Sequence, residues 1–353
     1  MTALTSVLRA APTGRIVLEL REWEGTYRSR DVPGGVERTP VRSTLWSVRP
    51  DGTDRRAIAA AGERAGHPLG SPDGQWLYWQ SESAGRWTIW RARPDGSAAT
   101  VIGPAAGLEG AGQSAFGACL SADGAHLTYT VHDGTTGRTV RAAADGSGAR
   151  VLAPQFGYLY MACPQPGTDR VVCSGPAQGY RLMLLDGPDA EPRVLTPDHP
   201  DCYAPQFTPD GQVIVFIRRD GGLYRIAPDG TGLRRLASGL AIEFRLSPED
   251  AHGSTDFPAI SPDGRQVAFV AGNEAAAAQV CVIDLATGNR RQLTQLSGPC
   301  ARVHWSPDGR WLAFVAMVDS RPQLHVIPAD GSAPERAVTA EAGAVYALTW
   351  LPD

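Results

Sequence analysis

One repeated motif limits what this chain can fold into. Val303 to Val315 reads VHWSPDGRWLAFV. Val303 and Trp305, then Trp311, Ala313 and Val315, fall at alternating positions, the period of a pleated strand. Ser306-Pro307-Asp308-Gly309 between them reads as a tight turn. Pro presets φ, Asp bonds backbone N–H groups two residues on, and Gly takes the positive φ of a sharp reversal. A lone hairpin of this kind is marginal in water and has to stack on others. The chain supplies them. Ser71-Pro72-Asp73-Gly74, Ser121-Ala122-Asp123-Gly124, Thr208-Pro209-Asp210-Gly211 and Ser261-Pro262-Asp263-Gly264 each precede an apolar run, and Pro164-Gln165-Pro166-Gly167 is a worn copy. Successive turns are 43 to 53 residues apart, a period that signals a propeller or solenoid.

A second turn alternates with the first: Pro50-Asp51-Gly52, Pro94-Asp95-Gly96, Ala144-Asp145-Gly146, Asp186-Gly187, Pro228-Asp229-Gly230, Thr287-Gly288 and Ala329-Asp330-Gly331. Each follows one short apolar strand and precedes another. The unit is therefore four antiparallel strands, A to D, with the A–B and C–D turns both marked: one propeller blade. Seven C–D turns stand against six A–B turns. The missing A–B turn is split between the ends, because ALTWLPD at 347–353 matches VHWSPD and APTGRIVL at 11–18 matches the remainder. The expected fold is all-β: a single seven-bladed β-propeller closed by the C-terminal strand joining the N-terminal blade. The blades span about 11–60 plus 344–353, 65–103, 113–153, 157–196, 201–238, 255–295 and 300–339.

The repeat uses nearly all 353 residues, so no second domain is expected. The 40 glycines and 28 prolines serve its many turns. A net charge of −4 with no basic run points to no nucleic-acid partner, and no apolar span reaches bilayer length, so no membrane partner is expected. MTALTSVLRA lacks the basic and apolar regions of a secretory signal, which points to the cytoplasm, or to the periplasm or exterior if a leader has been removed. A monomer is expected. The six cysteines form no CxxC pair and are expected as free thiols, with Cys163 and Cys173 flanking one A–B turn and able to approach each other.

The tight Asp-Gly turns read as scaffold, so recognition is expected on the opposite face, which carries the B–C and D–A loops. Two loops there are long: 21–39, with Trp23, Tyr27 and Arg28, and 238–256, with Glu243, Arg245, His252 and Asp256. The alanine run at 274–279 is too short for a stable helix and reads as a B–C loop. The D–A junctions add His67, Tyr158 and Tyr160, Asp201 and Tyr203, Arg302 and Tyr346 at the channel mouth. The candidate ligand-binding set is His67, Tyr160, Asp201, Tyr203, Glu243, Arg245, His252, Asp256, Arg302, Trp23, Tyr27 and Arg28. Such a ring suits a polar ligand, a sugar or a peptide; the same polar lining also serves any water-filled propeller channel.

No G-x-S-x-G elbow, H-x-H or HExxH occurs, and the Asp residues are too sparse for a calcium loop. No catalytic residue and no cofactor is predicted. A divalent metal stays open, since seven histidines from different blades can converge unseen in one dimension.

The SPDG turn, with VHWSPDGRWLAFV, PAISPDGRQVAFV, PQFTPDGQVIVFI and GHPLGSPDGQWLYWQ, resembles the Pro-Asp β-propeller repeat of the TolB-like family, over nearly the whole chain. That resemblance implies the fold and leaves the function broad: envelope scaffolds, sensors and propellers attached to peptidases share it. One branch, the oligogalacturonate lyases, binds a divalent metal through a pattern like Q-x-x-H-x-H-P before the turn. Here His67-Pro68 remains, but Ala65 and Gly62 stand where the pattern wants His and Gln, and blade 7 has Cys300 and Arg302. That departure argues against the lyase chemistry. The expected function is a non-catalytic module binding an unknown protein, peptide or other ligand through the face with loops 21–39 and 238–256. The alternative is a carbohydrate-active enzyme or sugar binder using His67, Asp201, His252, Asp256 and Arg302.

Overall fold

Seven four-stranded antiparallel sheets form the ring of a β-propeller. The computed structural model describes residues 11–22, 29–32, 35–38, 42–83, 86–103, 113–132, 136–175, 179–241, 243–244, 254–255, 257–273, 276–319, 321–339 and 343–353. Strand A of blades 2 to 7 is Ala65–Gly70, Ser114–Leu120, Tyr160–Pro164, Cys202–Phe207, Ala259–Ile260 and Cys300–Trp305. In blade 1 it is the C-terminal Ala344–Leu351, paired with Arg15–Glu22. The A strands of blades 1 to 5 come together in succession, as do those of blades 6, 7 and 1. The outermost D strands are two to four residues long, and Arg56, Arg150, Arg193, Arg234, Arg290 and Arg336 stand on six of them. Short, charged edges of this kind resist edge-to-edge pairing.

The turn chemistry follows the repeat. In five A–B turns the hydroxyl of Ser71, Ser121, Thr208, Ser261 or Ser306 donates to the Asp two residues on, at 2.5–2.6 Å. That Asp accepts the N–H of the residue two further along, and the hydroxyl accepts the N–H five along. The chain ends rebuild the same bend without a covalent link. Trp350 pairs with Ile16 as Trp305 pairs with Leu312. The N–H of Gly14 then donates to Asp353 Oδ2 at 3.0 Å, the counterpart of Arg310 N–H to Asp308 at 3.0 Å. Gly14 has φ +87, and a Cβ there would lie 2.2 Å from the Leu351 carbonyl, so only glycine fits the junction.

Cores lie between blades as well as within them. Trp350 packs with Ile16, Leu18 and the blade 7 residues Val315 and Val326, whereas Leu351 packs with Leu77 and Trp79 of blade 2. The closing strand thus fills the core on both of its sides.

Four local expectations are corrected. The worn turn of blade 4 starts one residue later, with Gln165 N–H bonded to the Arg170 carbonyl, because Gln165 takes the place of the serine. The alanine run is not all loop: strand C of blade 6 is Ala276–Asp284, and Asn273 pairs with Ala276. The long loop 21–39 carries a hairpin, Ser29–Val32 with Gly35–Arg38, and 238–256 a two-residue pair, Glu243–Phe244 with Ser254–Thr255. Cys163 pairs across the ladder with Val172, not Cys173. Cys163 packs in one core with Cys119, whereas Cys173 sits in another. Alternation along the strand sends Cys173 to the opposite side of the sheet from its neighbour Val172.

Candidate functional site

Five of the inner strands share a defect. Their ladders break between Gly66 and Leu69, Phe116 and Cys119, Tyr160 and Cys163, Tyr203 and Gln206, and Ala301 and His304. At the first residue of each break the backbone is left-handed: His67 (φ 53), Gly117 (φ 69), Met161 (φ 51), Ala204 (φ 51) and Arg302 (φ 55). Each lies four residues before the hydroxyl or amide that opens its A–B turn. A bulge bends the strand and re-aims a side chain, so His67 and Arg302 are the same structural position in blades 2 and 7. Four of the five are not glycine, and the left-handed region costs such residues about 1–2 kcal/mol each.

Two groups of side chains gather at this level. The first joins blades 7, 1 and 2. Glu19 is fully buried and accepts from Arg21 Nε at 2.5 Å, Ser43 Oγ at 3.0 Å and the bulged His67 N–H at 2.9 Å. Gly66 leaves room for it, since a Cβ there would lie 2.7 Å from the carboxylate. Burial acts to raise the Glu19 carboxyl, but Arg21, His67 and these hydrogen bonds outweigh it and hold it below the usual carboxylate range. The Arg21 guanidinium lies 3.3 Å above the Tyr346 ring centre and that of Arg302 5.1 Å from it. His67 meets the same ring edge-on at 6.1 Å. Burial and the Arg302 charge push His304 down to about 4, so it is neutral at pH 7.

The second group is aromatic. A cavity of about 480 Å³ opens among blades 2 to 6, walled by Phe116, Tyr158, Tyr160, Met161 and Phe257, with His67 on the side of the first group. The described lining includes no Asp, Glu, Lys or Arg. From the cavity a ladder of tyrosines runs outward, with ring centres 5.6 Å apart for Tyr158–Tyr160, 5.9 Å for Tyr160–Tyr180 and 5.5 Å for Tyr180–Tyr203. Tyr180, the third ring, is 36% exposed, and the ladder ends at Tyr203. There Arg219 Nη2 donates to the Tyr203 hydroxyl at 3.1 Å, and that hydroxyl donates to Asp201 Oδ1 at 3.4 Å. Burial pushes Tyr158 up to about 12 and Tyr160 upward, so both rings are neutral phenols at physiological pH.

Of the residues expected from sequence, His67 and Tyr160 line the cavity, Asp201 and Tyr203 end the ladder, and Arg302 joins the Tyr346 group. Trp23, Tyr27, Arg28, Arg245, His252 and Asp256 lie outside the described residues, and Glu243 is placed only as strand backbone. Glu19, Met161 and Tyr180 join these groups from outside the set expected from sequence. Glu19 had a signal: a carboxylate inside the apolar run Ile16 to Leu20.

No protein-family model matches the chain. Solved structures do. TolB from Acinetobacter baumannii superposes with a TM-score of 0.56 at 19% identity, over 96% of this chain and 67% of that one. An oligogalacturonate lyase in complex with manganese gives 0.61 at 15% identity, over 94% and 87%. A puromycin-hydrolyzing peptidase of Mycobacterium tuberculosis gives 0.62 at 18%, over 94% of this chain and 56% of that one. At these identities the likeness is one of fold.

The lyase raises the question of a divalent ion. Among the described residues no three of His, Cys, Asp and Glu come together as a metal site. Glu19, the deepest carboxylate, is already engaged by Arg21, Ser43 and His67. These described residues do not fit a metal. The hydrogen-bond network around Glu19 is a structural brace that orients the His67 bulge.

Proposed function

We propose that this chain is a TolB-like binding propeller whose aromatic cavity takes an apolar side chain of a peptide or protein partner, while the tyrosine ladder seats the adjoining backbone. The observation that carries this is the cavity lining. Phe116, Tyr158, Tyr160, Met161 and Phe257 present apolar surface with no described charged group, whereas general acid–base chemistry on a sugar wants convergent carboxylates. Of the two carboxylates expected to serve such chemistry, Asp201 sits at the far end of the ladder beside Tyr203 and Arg219, and Asp256 lies outside the described residues. Tyrosine also suits a recognition surface, being large, stiff and amphipathic.

A saccharide is the second reading. It is favoured by the run of four rings at 5.5–5.9 Å, which offers successive stacking surfaces. One experiment separates the two. A random-peptide phage library and a glycan array are screened against the wild type and Tyr160→Ala. Enrichment of peptides with an aromatic or aliphatic anchor, lost in Tyr160→Ala, supports the proposal. Glycan binding with no peptide enrichment overturns it.

A further inference from the structure

Cys119 and Cys163 occupy one position in successive blades. Each lies two residues before the residue that opens its A–B turn, on the inner strands Ser114–Leu120 and Tyr160–Pro164. Ring geometry sets such positions side by side. Two hydrogen bonds show how near the backbones come: the Thr128 hydroxyl lies 3.4 Å from the Cys119 carbonyl and 2.6 Å from that of Ala162. Cys119 packs on the core that contains Cys163, and it also lines the cavity. Cys163 is 7% exposed just behind it. All six cysteines are free thiols.

We propose that Cys119 and Cys163 form an oxidisable dithiol, which hydrogen peroxide entering the cavity converts to a disulfide stapling blade 3 to blade 4. One sulfur of the pair, as thiolate, breaks the peroxide O–O bond and forms S–OH, and the hydroxide released takes up a proton as water. The neighbouring sulfur then attacks that S–OH sulfur. The S–S bond forms, the S–O bond breaks, and the second hydroxide leaves as water with the remaining thiol proton. Two thiols and one peroxide give one disulfide and two waters.

The surroundings separate this pair from Cys173, Cys202 and Cys300. The neighbouring Cys119 thiol acts to lower Cys163, with burial opposing it and the Phe207 backbone assisting, so Cys163 is held down while Cys119 is pushed up. Burial pushes Cys173 up to about 12 and Cys300 to about 11, where a thiolate is scarce at neutral pH. Cys202 and Cys300 are bonded to Thr196 and Thr294 rather than to a thiol. The inference stands whichever ligand the cavity takes.

The test treats the folded wild-type protein with hydrogen peroxide, alkylates the remaining thiols under denaturing conditions and maps the peptides by mass. The expected product is a cross-link between the Cys119 and Cys163 peptides, with two hydrogens lost, reversed by dithiothreitol, and four of the six thiols still alkylated. Cys119→Ser and Cys163→Ser each remove it, with folding checked by circular dichroism. Sulfonic acid at Cys119 with Cys163 still reduced overturns the proposal. So does a cross-link to another cysteine, or six unreacted thiols.

Discussion

Trp350 is the residue through which ring closure can be weighed. It is 7% exposed, packs on Leu18, Val315 and Val326 between blades 7 and 1, and donates its indole N–H to the Thr13 carbonyl at 2.9 Å. Trp305 is its counterpart one blade back. It is 8% exposed, packs on Ala268, Val282 and Ile327 between blades 6 and 7, and donates to the Ala259 carbonyl at 2.8 Å. Truncating a buried tryptophan to alanine costs about 3–5 kcal/mol from lost transfer energy and the cavity left behind. Loss of the indole donor strips a part-buried carbonyl of its partner, worth about 1 kcal/mol, and places both variants at the upper end. Trp350→Ala and Trp305→Ala should therefore lose the same stability within about 1 kcal/mol. Equilibrium urea unfolding, followed by far-ultraviolet circular dichroism so that the missing indole does not distort the signal, makes the comparison. If the non-covalent bend at Gly14 and Asp353 opened in solution, Trp350→Ala would cost less than about 1 kcal/mol while Trp305→Ala kept its full effect. That result would refute closure through the C-terminal strand.

Two further outcomes follow from the inner wall. Glu19→Gln should cost about 3 kcal/mol at pH 7, because it leaves Arg21 and the His67 N–H facing a neutral group. The Glu19 carboxyl is lowered from 4.5 in the folded protein, so its contribution is complete above that pH and disappears as pH falls through the folded value. The gap between wild type and Glu19→Gln should close in acid; a gap independent of pH would show that the carboxylate charge does not brace the bulge. Gly117→Ala, at φ +69 with the nearest atom 4.0 Å from a new Cβ, should lose about 1 kcal/mol from backbone strain alone. Ala204→Gly, at the same position in blade 5 with φ 51, should come out near neutral in the same unfolding assay, since relief of strain offsets the added unfolded-state entropy.

The propeller was legible because its instructions are local. An Asp bonding N–H groups two residues on, a serine or threonine hydroxyl and a glycine at positive φ all act within six residues, so Ser71 to Trp76 specifies its own bend. Even the split bend could be read, since TWLPD and PTGRI each keep half of that pattern. Blade 4 differs by one residue from the sequence expectation for the same reason: Gln165 replaces the hydroxyl, and Thr168, which donates to Gln165 Oε1 and accepts the Arg170 N–H, closes the turn instead of an aspartate. The site is a different kind of fact. Tyr180 is an unremarked residue before a C strand until the ring sets it 5.5 Å from Tyr203 of the next blade.

What links the two is the bulge. Five inner strands give up ladder pairing at the same height and hold His67, Gly117, Met161, Ala204 and Arg302 in the left-handed region. A repeat selected for regular blades alone would put glycine at all five, as blade 3 does. The four that keep side chains there use them or their own N–H groups. Glu19 accepts from His67, Met161 Sδ accepts from Ala204 N–H at 3.2 Å, and Arg302 lies on the Tyr346 ring. Strain is tolerated at one repeated position and braced from the preceding blade, by Glu19 for His67 and by Met161 for Ala204. This explains why sequence could find His67 and Arg302 yet miss Glu19. The bulged residue is marked by its distance from the turn, whereas its brace is chosen by the neighbouring blade.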